Sequence, residues 1–317
     1  MRRARCAAMI ATITVSAASI GWASALPASA ATRSARSLLT RYIVKTIEDP
    51  KDPNNTYVSG INSNGEIVAD YGSGRPHDPI HAFILSTPYG RSDIRPIRFP
   101  GAAQTDVYAL NDKGVVVGQY SMTDRKRGNA WHGFWESHGR FHSVDYPGRS
   151  HRPAWNTLSD VNNEGFAVGT YETPNGTYHA FRFNIFTHQF SLPVVGALST
   201  VAYSINNKGV VAGFFEEKRG PWFSYITTGT LTQFAVRGAG RTEARGINDH
   251  GLVVGTYLKS RHYHGFTWID KGGPHGTFGF FTTPWKNIQM QGINNTGKIV
   301  GWYEDSTGFH GFVAIPR

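Results

Sequence analysis

The stretch Leu110-Asn111-Asp112-Lys113-Gly114-Val115-Val116-Val117-Gly118-Gln119-Tyr120 decides the fold, because five near-copies of it recur along the chain. Each copy places an asparagine after an apolar residue, and we number the repeat units 1 to 6 by these asparagines: Asn62, Asn111, Asn162, Asn206, Asn248 and Asn294. Asparagine favours the start of a type I turn, and the glycine three residues later supplies a positive φ. The run after that glycine is short and largely β-branched. Each copy therefore predicts a strand, a tight turn and a second strand.

A third and a fourth strand follow each hairpin. In five units the third strand begins with histidine, a small residue and phenylalanine, and these histidines are His81, His132, His179, His264 and His310. Unit 4 has Pro221-Trp222-Phe223 instead. The predicted fourth strand then follows and ends near proline or glycine. The repeat asparagines lie 49, 51, 44, 42 and 46 residues apart, which favours a four-stranded propeller blade over a two-helix unit or a short solenoid coil.

The two ends of the chain complement each other. The sequence stops at Arg317 after the third strand of unit 6, and its first strand begins at Tyr42 without a hairpin before it. Pairing these ends removes two exposed sheet edges. Two residues before each repeat asparagine the side chain is small or short, as crowded inner strands require: Gly60, Ala109, Asp160, Ser204, Gly246 and Gly292. We therefore predict an all-β six-bladed β-propeller of four-stranded blades, closed by the N-terminal strand.

The composition and the N-terminus indicate an exported globular protein. Apolar residues make up 40% of the 317 residues and the glycines are spread through periodic turns, which argues against disorder. Residues 1–30 predict a Sec-type signal peptide, with a basic start, an apolar stretch and Ala28-Ser29-Ala30 for cleavage. An uncleaved anchor and twin-arginine export are the alternatives, and the short apolar stretch argues against stable membrane insertion. Residues 31–40 read as a linker and residues 41–317 as one propeller domain.

Cysteine and charge restrict the chemistry of the secreted chain. Cys6, the single cysteine, lies within the signal peptide, so disulfides, thiolate catalysis and cysteine-based zinc sites are excluded. We expect no cofactor. Removing residues 1–30 lowers the formal charge from +10 to about +7. The basic balance favours an extracellular glycan or another polyanion as partner, with solubility as the simpler explanation. Export argues against nucleic acid, and the oligomeric state is left open.

Taken together, the Ile-Asn turn, the glycines, and the His-Ala-Phe or His-Gly-Phe start of the third strand resemble the extracellular HAF-repeat family. The resemblance covers residues 42–317 and rests on six recurrences of the pattern. It implies exported repeat proteins, propellers in fold, mostly without an assigned activity. Unit 4 lacks the histidine, which argues against ligand binding by that residue in every unit. We expect the repeat histidines to bond neighbouring turns, since equivalent positions around a ring do not converge on one metal.

Candidate binding residues lie where the units differ. In this strand order one face carries the tight turns, and the opposite face, here called the loop-rich face, carries the longer connections. Its arginines offer bidentate forks for carboxylate or sulfate, and its aromatic rings offer platforms for sugars. The residues are Arg125, Arg149, His151, Arg152, Trp155, Arg261, His262, Tyr263, Trp285 and Lys286. Asp160 is added as an inner-strand carboxylate, which requires either a partner or a water-filled channel.

Three classes of function fit this face. The first is a non-catalytic propeller that binds an acidic polysaccharide, with binding weakened by salt and by loss of Arg152 or Arg261. The second is an enzyme on the same scaffold. A polysaccharide lyase would use His151, Arg152, His262 and Tyr263, and a glycoside hydrolase would use Asp160 with Asp106 or Glu243. The third is a structural or protein-binding ring in the cell envelope, which the residues alone do not separate from a sugar platform.

Overall fold

The chain is built almost entirely of β-strands. A computed structural model describes residues 41–317 with these exceptions: 50, 73–78, 124–129, 148–154, 193–196, 218–219, 228–229, 272–275, 282 and 286. Twenty-four strands are assigned in this part, with a short 3-10 turn at Arg91–Asp93. None of its helical segments is long and apolar enough to cross a membrane. The all-β prediction is confirmed.

Units 1 to 3 each form one sheet of four antiparallel strands in the order of the chain. The first strand of the protein is β1 (Tyr42–Ile47). Unit 1 contains β2 (Thr56–Ile61), β3 (Ile67–Tyr71), β4 (His81–Leu85) and β5 (Ile94–Ile97). Unit 2 contains β6 (Gln104–Leu110), β7 (Val116–Ser121), β8 (His132–Ser137) and β9 (Arg140–Val144). Unit 3 contains β10 (Asn156–Val161), β11 (Phe166–Glu172), β12 (Tyr178–Asn184) and β13 (Phe190–Ser191).

The strands of units 4 and 5 form a single eight-stranded sheet. Unit 4 supplies β14 (Ser199–Ile205), β15 (Val211–Glu216), β16 (Trp222–Thr227) and β17 (Leu231–Phe234). Unit 5 supplies β18 (Arg241–Ile247), β19 (Leu252–Lys259), β20 (His262–Ile269) and β21 (Thr277–Phe280). Unit 6 supplies β22 (Asn287–Ile293), β23 (Ile299–Glu304) and β24 (Phe309–Pro316). The fold is a β-propeller arrangement of four-stranded blades.

The fourth strand of the last sheet comes from the start of the chain, as predicted. β1 pairs antiparallel with β24, from Tyr42 opposite Pro316 to Ile47 opposite Gly311. This pairing joins the two ends of the described chain in the sheet of unit 6. It also covers the edge that β24 would otherwise expose to another chain.

The count of separate blades differs from the prediction. Four separate four-stranded sheets are present where six were expected, because β14–β21 are continuous. A single parallel pair, Trp222 opposite Arg241, makes the connection between β16 and β18. β17 meanwhile pairs with the later part of β16, from Ser224 to Thr227. The edge of β16 is thus shared between the last strand of its own unit and the first strand of the next.

The hydrophobic core lies between successive sheets. One cluster joins Val68 of unit 1 to Val107 and Phe134 of unit 2. Another joins unit 6 to unit 1, with Val313 against Val58. Each sheet therefore buries both of its faces against neighbours, and stability depends on stacking around the ring.

Small residues let the inner strands approach one another, as the sequence predicted. A Cβ added at Gly60 would lie 2.5 Å from the carbonyl oxygen of Tyr108. A Cβ at Gly246 would lie 2.9 Å from the Cα of Gly292. Each inner strand also has an irregular register just before this position, for example between Val107 and Ala109. Such bulges redirect the intervening side chain.

Candidate functional site

The repeat asparagines form a hydrogen-bonded cycle on the tight-turn face. Each side-chain Nδ2 donates to the backbone carbonyl of the asparagine in the next unit, and Asn294 donates back to Asn62: 3.2, 2.9, 3.1, 3.0, 3.2 and 3.0 Å in chain order. Asn111 Oδ1 also accepts the N–H groups of Lys113 and Val115. The asparagines form the turns, as predicted, and in addition they link the units. Their polar atoms are used within the fold.

The repeat histidines pack against aromatic rings at the start of each third strand. In units 1, 2, 3, 5 and 6 the ring lies 5.0 to 5.6 Å from a tyrosine directly across the hairpin: Tyr71–His81, Tyr120–His132, Tyr171–His179, Tyr257–His264 and Tyr303–His310. Unit 4 keeps the geometry with Phe215 and Phe223. His132 bonds Asp145, and His310 bonds Glu48 beside the closing strand. These contacts fit a structural role.

Asp160 bridges the inner strands of units 3 and 4. Its Oδ2 accepts the Ser204 hydroxyl at 2.7 Å and the Ile205 N–H at 2.9 Å. Ser204 Oγ in turn accepts the Ile247 N–H of unit 5 at 3.2 Å. Burial raises the pKa of Asp160 to about 6. The hydrogen bonds that its carboxylate accepts from Ser204, Ile205 and Val161 oppose this shift. The Asp160 side chain is half-buried, and the partners of its carboxylate are a hydroxyl and backbone N–H groups.

A charged group, here called the β18 cluster, lies on the inner strand of unit 5. It consists of Arg241, Glu243 and Arg245 from β18, with Tyr203, Tyr263 and Gln291 from neighbouring strands. Both guanidinium groups contact the Glu243 carboxylate, Arg241 Nη1 at 3.2 Å from Oε1 and Arg245 Nη2 against Oε2. Arg245 also donates to Gln291 Oε1 at 3.1 Å. The side chains of Glu243 and Arg245 are almost fully buried, whereas Arg241 remains 15% exposed.

Aromatic rings complete the β18 cluster. The guanidinium carbon of Arg245 lies 4.3 Å from the centroid of the Tyr203 ring, and that of Arg241 lies 5.3 Å from Trp222. Burial acts to lower the pKa of Arg245, but Tyr203 and Glu243 raise it more, so its net pKa lies above the usual value. Burial, and then Glu243, raise the pKa of Tyr263. A tyrosine with a raised pKa is a poor base at neutral pH.

The cluster opens toward an exposed hairpin on the loop-rich face. β19 and β20 are joined by Ser260 and Arg261, with Lys259 opposite His262 across the hairpin. Arg261 and His262 are exposed, and Tyr263 of the same strand lies in the β18 cluster. Ser260 and Arg261 have φ of 51° and 67°, a region favoured by glycine and asparagine. The hairpin therefore holds an arginine at its tip in a conformation that costs free energy.

The structure brings together some of the predicted site residues. Arg261, His262 and Tyr263 are contiguous, whereas Trp155 and Trp285 pack elsewhere. Trp155 donates its indole N–H to Gln119 Oε1 at 2.7 Å. Trp285 stacks on Tyr303 with centroids 4.0 Å apart. Five predicted residues lie outside the described part of the chain: Arg125, Arg149, His151, Arg152 and Lys286.

The carboxylates suggested for a hydrolase are engaged in other contacts. Asp106 accepts Gln119 Nε2 at 3.0 Å and the Tyr108 hydroxyl at 3.3 Å. Glu243 is held between two guanidinium groups, and Asp160 spans two units. Each of these carboxylates is hydrogen-bonded or ion-paired within the fold. Within the described ranges, no group of three or more His, Cys, Asp or Glu side chains is placed to hold a metal ion.

Sequence reasoning overlooked most of the β18 cluster. The sequence Arg241-Thr242-Glu243-Ala244-Arg245 indicates this cluster, because the alternation of side chains along a strand places its three charged residues on one side of the strand. Other units carry Ser59, Tyr108, Ser159, Tyr203 and Gln291 at the position of Arg245, so unit 5 alone has a cation there. This break in the repeat is as visible as Asp160.

Comparison with known proteins supports the fold. No family model and no curated protein sequence matches the chain. A gluconolactonase, XC5397 from Xanthomonas campestris, matches with 10% identity and a TM-score of 0.51, covering 91% of this chain and 94% of that one. Trypanosoma rangeli sialidase matches with 8% identity and a TM-score of 0.50, covering 86% and 59%. A polysaccharide lyase, an ulvan lyase bound to -[GlcA(1-4)Rha3S]-, matches with 13% identity and a TM-score of 0.47, covering 82% and 78%. At these identities the two matches with TM-scores of 0.50 and 0.51 show a propeller fold, not an activity.

Proposed function

We propose that this chain is a secreted, six-bladed, non-catalytic propeller that binds an acidic polysaccharide through its loop-rich face. The observation that carries the proposal is the grouping of Arg241, Arg261, His262 and Tyr263 on one rim, next to Trp222. Guanidinium groups suit carboxylate and sulfate, and aromatic rings suit the apolar faces of sugars.

The blade count in this proposal treats the eight-stranded sheet as two blades. The same kind of parallel bridge links unit 6 to unit 1 at Asn55 and Phe309, and unit 2 to unit 3 at Trp131 and Trp155, without merging those sheets. The pair Trp222 and Arg241 is a third bridge of this kind. The cycle of six asparagine hydrogen bonds also passes through units 4 and 5 as separate members.

The backbone conformation at the tip of the β19–β20 hairpin supports a binding role for the charge of Arg261. Arg261 has a φ of 67°, where a residue with a Cβ costs roughly 1 kcal/mol or more relative to glycine. The tip is exposed, and packing of the Arg261 side chain is not what holds it there. A binding role explains why a long cationic side chain occupies this position.

Export and family assignment belong to the same proposal. Residues 1–30 have the three regions of a signal peptide, and the repeat pattern resembles the HAF-repeat family. A secreted basic protein meets acidic polymers of cell surfaces and matrices, and such polymers match a formal charge of about +7.

The test is incubation of residues 31–317 with matched acidic and neutral polysaccharides, following both retention of the protein and release of oligosaccharides. The proposal predicts retention on the acidic polymers alone, and a loss of retention as salt rises from about 50 mM to 500 mM. Retention that is independent of salt, or no retention on any polyanion, would contradict it.

The release measurement separates binding from catalysis. A lyase would leave unsaturated ends together with new reducing ends, whereas a hydrolase would leave new reducing ends without unsaturation. The proposal predicts neither product. Either product would replace the binding role by the corresponding enzyme and would direct mutagenesis to Arg241, Tyr263 and His262.

A further inference from the structure

Three units extend the tyrosine–histidine contact by a further aromatic ring on the loop-rich face. The added ring lies almost parallel to the tyrosine, with centroids 3.6 to 4.1 Å apart: Phe99 on Tyr120, Tyr146 on Tyr171, and Trp285 on Tyr303. In units 2 and 3 this ring comes from the connection that leads into the unit. The angle between its plane and that of the tyrosine is 2° to 12°.

Unit 1 has a carboxylate at this position. The backbone N–H of Phe99 donates to Thr105 Oγ1 at 3.1 Å, and that of Tyr146 donates to Asn156 Oδ1 at 3.1 Å. In unit 1 the equivalent bond, 2.8 Å to Thr56 Oγ1, comes from Asp49. Asp49 therefore occupies the place of Phe99 and Tyr146, and among the described residues no third ring lies nearly parallel to Tyr71.

A cavity of about 500 Å³ lies at this place, between units 1 and 2. Asp49, Lys51, Tyr71, His81 and Arg98 are among its lining residues. Asp49 is 2% exposed, and its Oδ1 accepts the Lys51 N–H at 2.8 Å. Lys51 Nζ lies 6.0 Å from the centroid of the Tyr71 ring. The cavity thus combines a tyrosine ring that has no third ring stacked on it, a buried carboxylate and two cations, one of which lies over the tyrosine ring.

We propose that this cavity is a subsite for one pyranose unit of an acidic sugar chain. The sugar ring stacks on Tyr71 in the place that Phe99 and Tyr146 fill in the next two units. Asp49 accepts sugar hydroxyls, and Lys51 and Arg98 pair with the carboxylate or sulfate of the sugar. The volume suits a single sugar ring with its substituents. This inference rests on the proposed binding function and specifies where one sugar unit is held.

The variant Asp49→Phe tests the subsite, because it restores the ring that units 2 and 3 carry. The backbone bond to Thr56 is kept, so the variant is expected to fold with an unchanged or higher melting temperature. Lys51→Ala is a second variant at an exposed residue, with Lys113→Ala on the tight-turn face as its control. Titration calorimetry on residues 31–317 uses three tetrasaccharide probes: one of uronic acids, one sulfated and one neutral.

The subsite predicts that Asp49→Phe weakens binding of an acidic tetrasaccharide at least tenfold. Lys51→Ala should weaken it about threefold to tenfold, while Lys113→Ala leaves it unchanged. The uronic-acid and sulfated probes distinguish which anionic group is held.

Unchanged binding of the acidic tetrasaccharides by both Asp49→Phe and Lys51→Ala would overturn the subsite and leave the rest of the loop-rich face as the binding surface. Equal binding of the neutral probe would overturn the assignment to acidic sugars. Retention of the wild type on no polysaccharide would overturn both proposals together.

Discussion

Asp160 occupies a position that holds glycine, alanine or serine in the other five units, and the fold uses its carboxylate as a bridge. Its Oδ2 accepts bonds from Ser204 and Ile205 of the next unit. Burial raises its pKa to about 6, from an ordinary value near 3.8. The native state therefore binds a proton in a pH range where the unfolded chain has released it. This coupling makes the carboxylate a source of pH-dependent stability.

The first prediction concerns Asp160→Asn. Because the folded pKa is raised, the contribution of Asp160 to stability falls as pH rises from about 4 to about 6, by at most about 1.4 kcal/mol per pH unit. Asparagine does not titrate, so the variant should gain stability relative to the wild type across this window. Urea unfolding at pH 4.5, 5.5 and 6.5 measures the difference.

A control for that prediction is Asp305→Asn. Hydrogen bonds from Thr307 hold the pKa of Asp305 at about 2, so this carboxylate stays ionised throughout the window. Because Asp305 Oδ1 lies 3.2 Å from His310 Nε2, the control is made in a His310→Gln background, in which Asp305→Asn should shift stability by the same amount at all three pH values. A constant difference between Asp160→Asn and the wild type would show that Asp160 is not protonated near pH 6.

The second prediction concerns the β18 cluster. Glu243→Gln removes the negative charge between Arg241 and Arg245 and leaves Arg245 buried without an ionic partner. We expect a loss of about 3 kcal/mol in the free energy of unfolding. Glu164→Gln, at an exposed glutamate on the tight-turn face, should stay within about 0.5 kcal/mol of the wild type. Chemical denaturation of the three proteins measures both values, and equal stabilities would contradict a structural ion pair.

At the scale of the element, the repeated hairpin does more than reverse the chain. The asparagine at its start accepts N–H groups within its own turn and donates to the turn of the next unit. The tyrosine and histidine at the far end of the second and third strands stack across the hairpin. Each hairpin therefore carries a connection to its neighbour at the tight-turn face and an aromatic contact at the loop-rich face.

The third prediction concerns this element. Asn111→Ala removes the side-chain bonds to Lys113, Val115 and the carbonyl of Asn162. With buried backbone groups left unpaired, the loss should be about 2–3 kcal/mol. The exposed Asn64, in the equivalent turn of unit 1, is the matched control, and Asn64→Ala should change stability by less than about 0.5 kcal/mol. Similar losses in both variants would contradict the role given to the cycle of asparagines.

At the scale of the whole molecule, ring closure depends on β1. This strand pairs along its length with β24 and contributes Ile47 to the core between units 6 and 1. Without it, β24 would be an exposed edge that invites pairing with other chains. The ring is therefore closed twice, by the pairing of β1 with β24 in the sheet of unit 6 and by the hydrogen bond from Asn294 to Asn62 on the tight-turn face.

The fourth prediction compares residues 41–317 with residues 48–317. The shorter chain lacks β1, so it should melt about 10 °C lower and aggregate on heating, because several apolar side chains lose their cover. Scanning calorimetry and light scattering measure these two effects. Equal melting temperatures would show that β1 does not contribute to the stability of the ring.

Much of the architecture could be predicted because the same turn-forming residues recur at corresponding positions of the repeat units. Asn111 and Gly114 indicate a turn without reference to the rest of the chain, and the unpaired strand at Tyr42 indicates closure. The joined sheet could not be predicted, because it depends on one pair, Trp222 and Arg241. The charged residues of the β18 cluster are visible in the sequence, but the contacts of Arg245 with Tyr203 and Gln291 depend on how units 4, 5 and 6 stack. The role of Asp49 depends on its register against two other units, which the spacing of the residues alone does not reveal.

The most direct test of the account is the affinity of residues 31–317 for an immobilised acidic polysaccharide, measured for the wild type, Arg261→Gly and Lys208→Ala at low and high salt. Glycine suits the φ of 67° at position 261, so that variant loses the charge without straining the hairpin. Lys208 is an exposed cation on the tight-turn face. The account predicts a threefold to tenfold loss at low salt for Arg261→Gly, little change for Lys208→Ala, and weak binding by all three at high salt. Equal losses in the two variants, or none in either, would contradict binding through the loop-rich face.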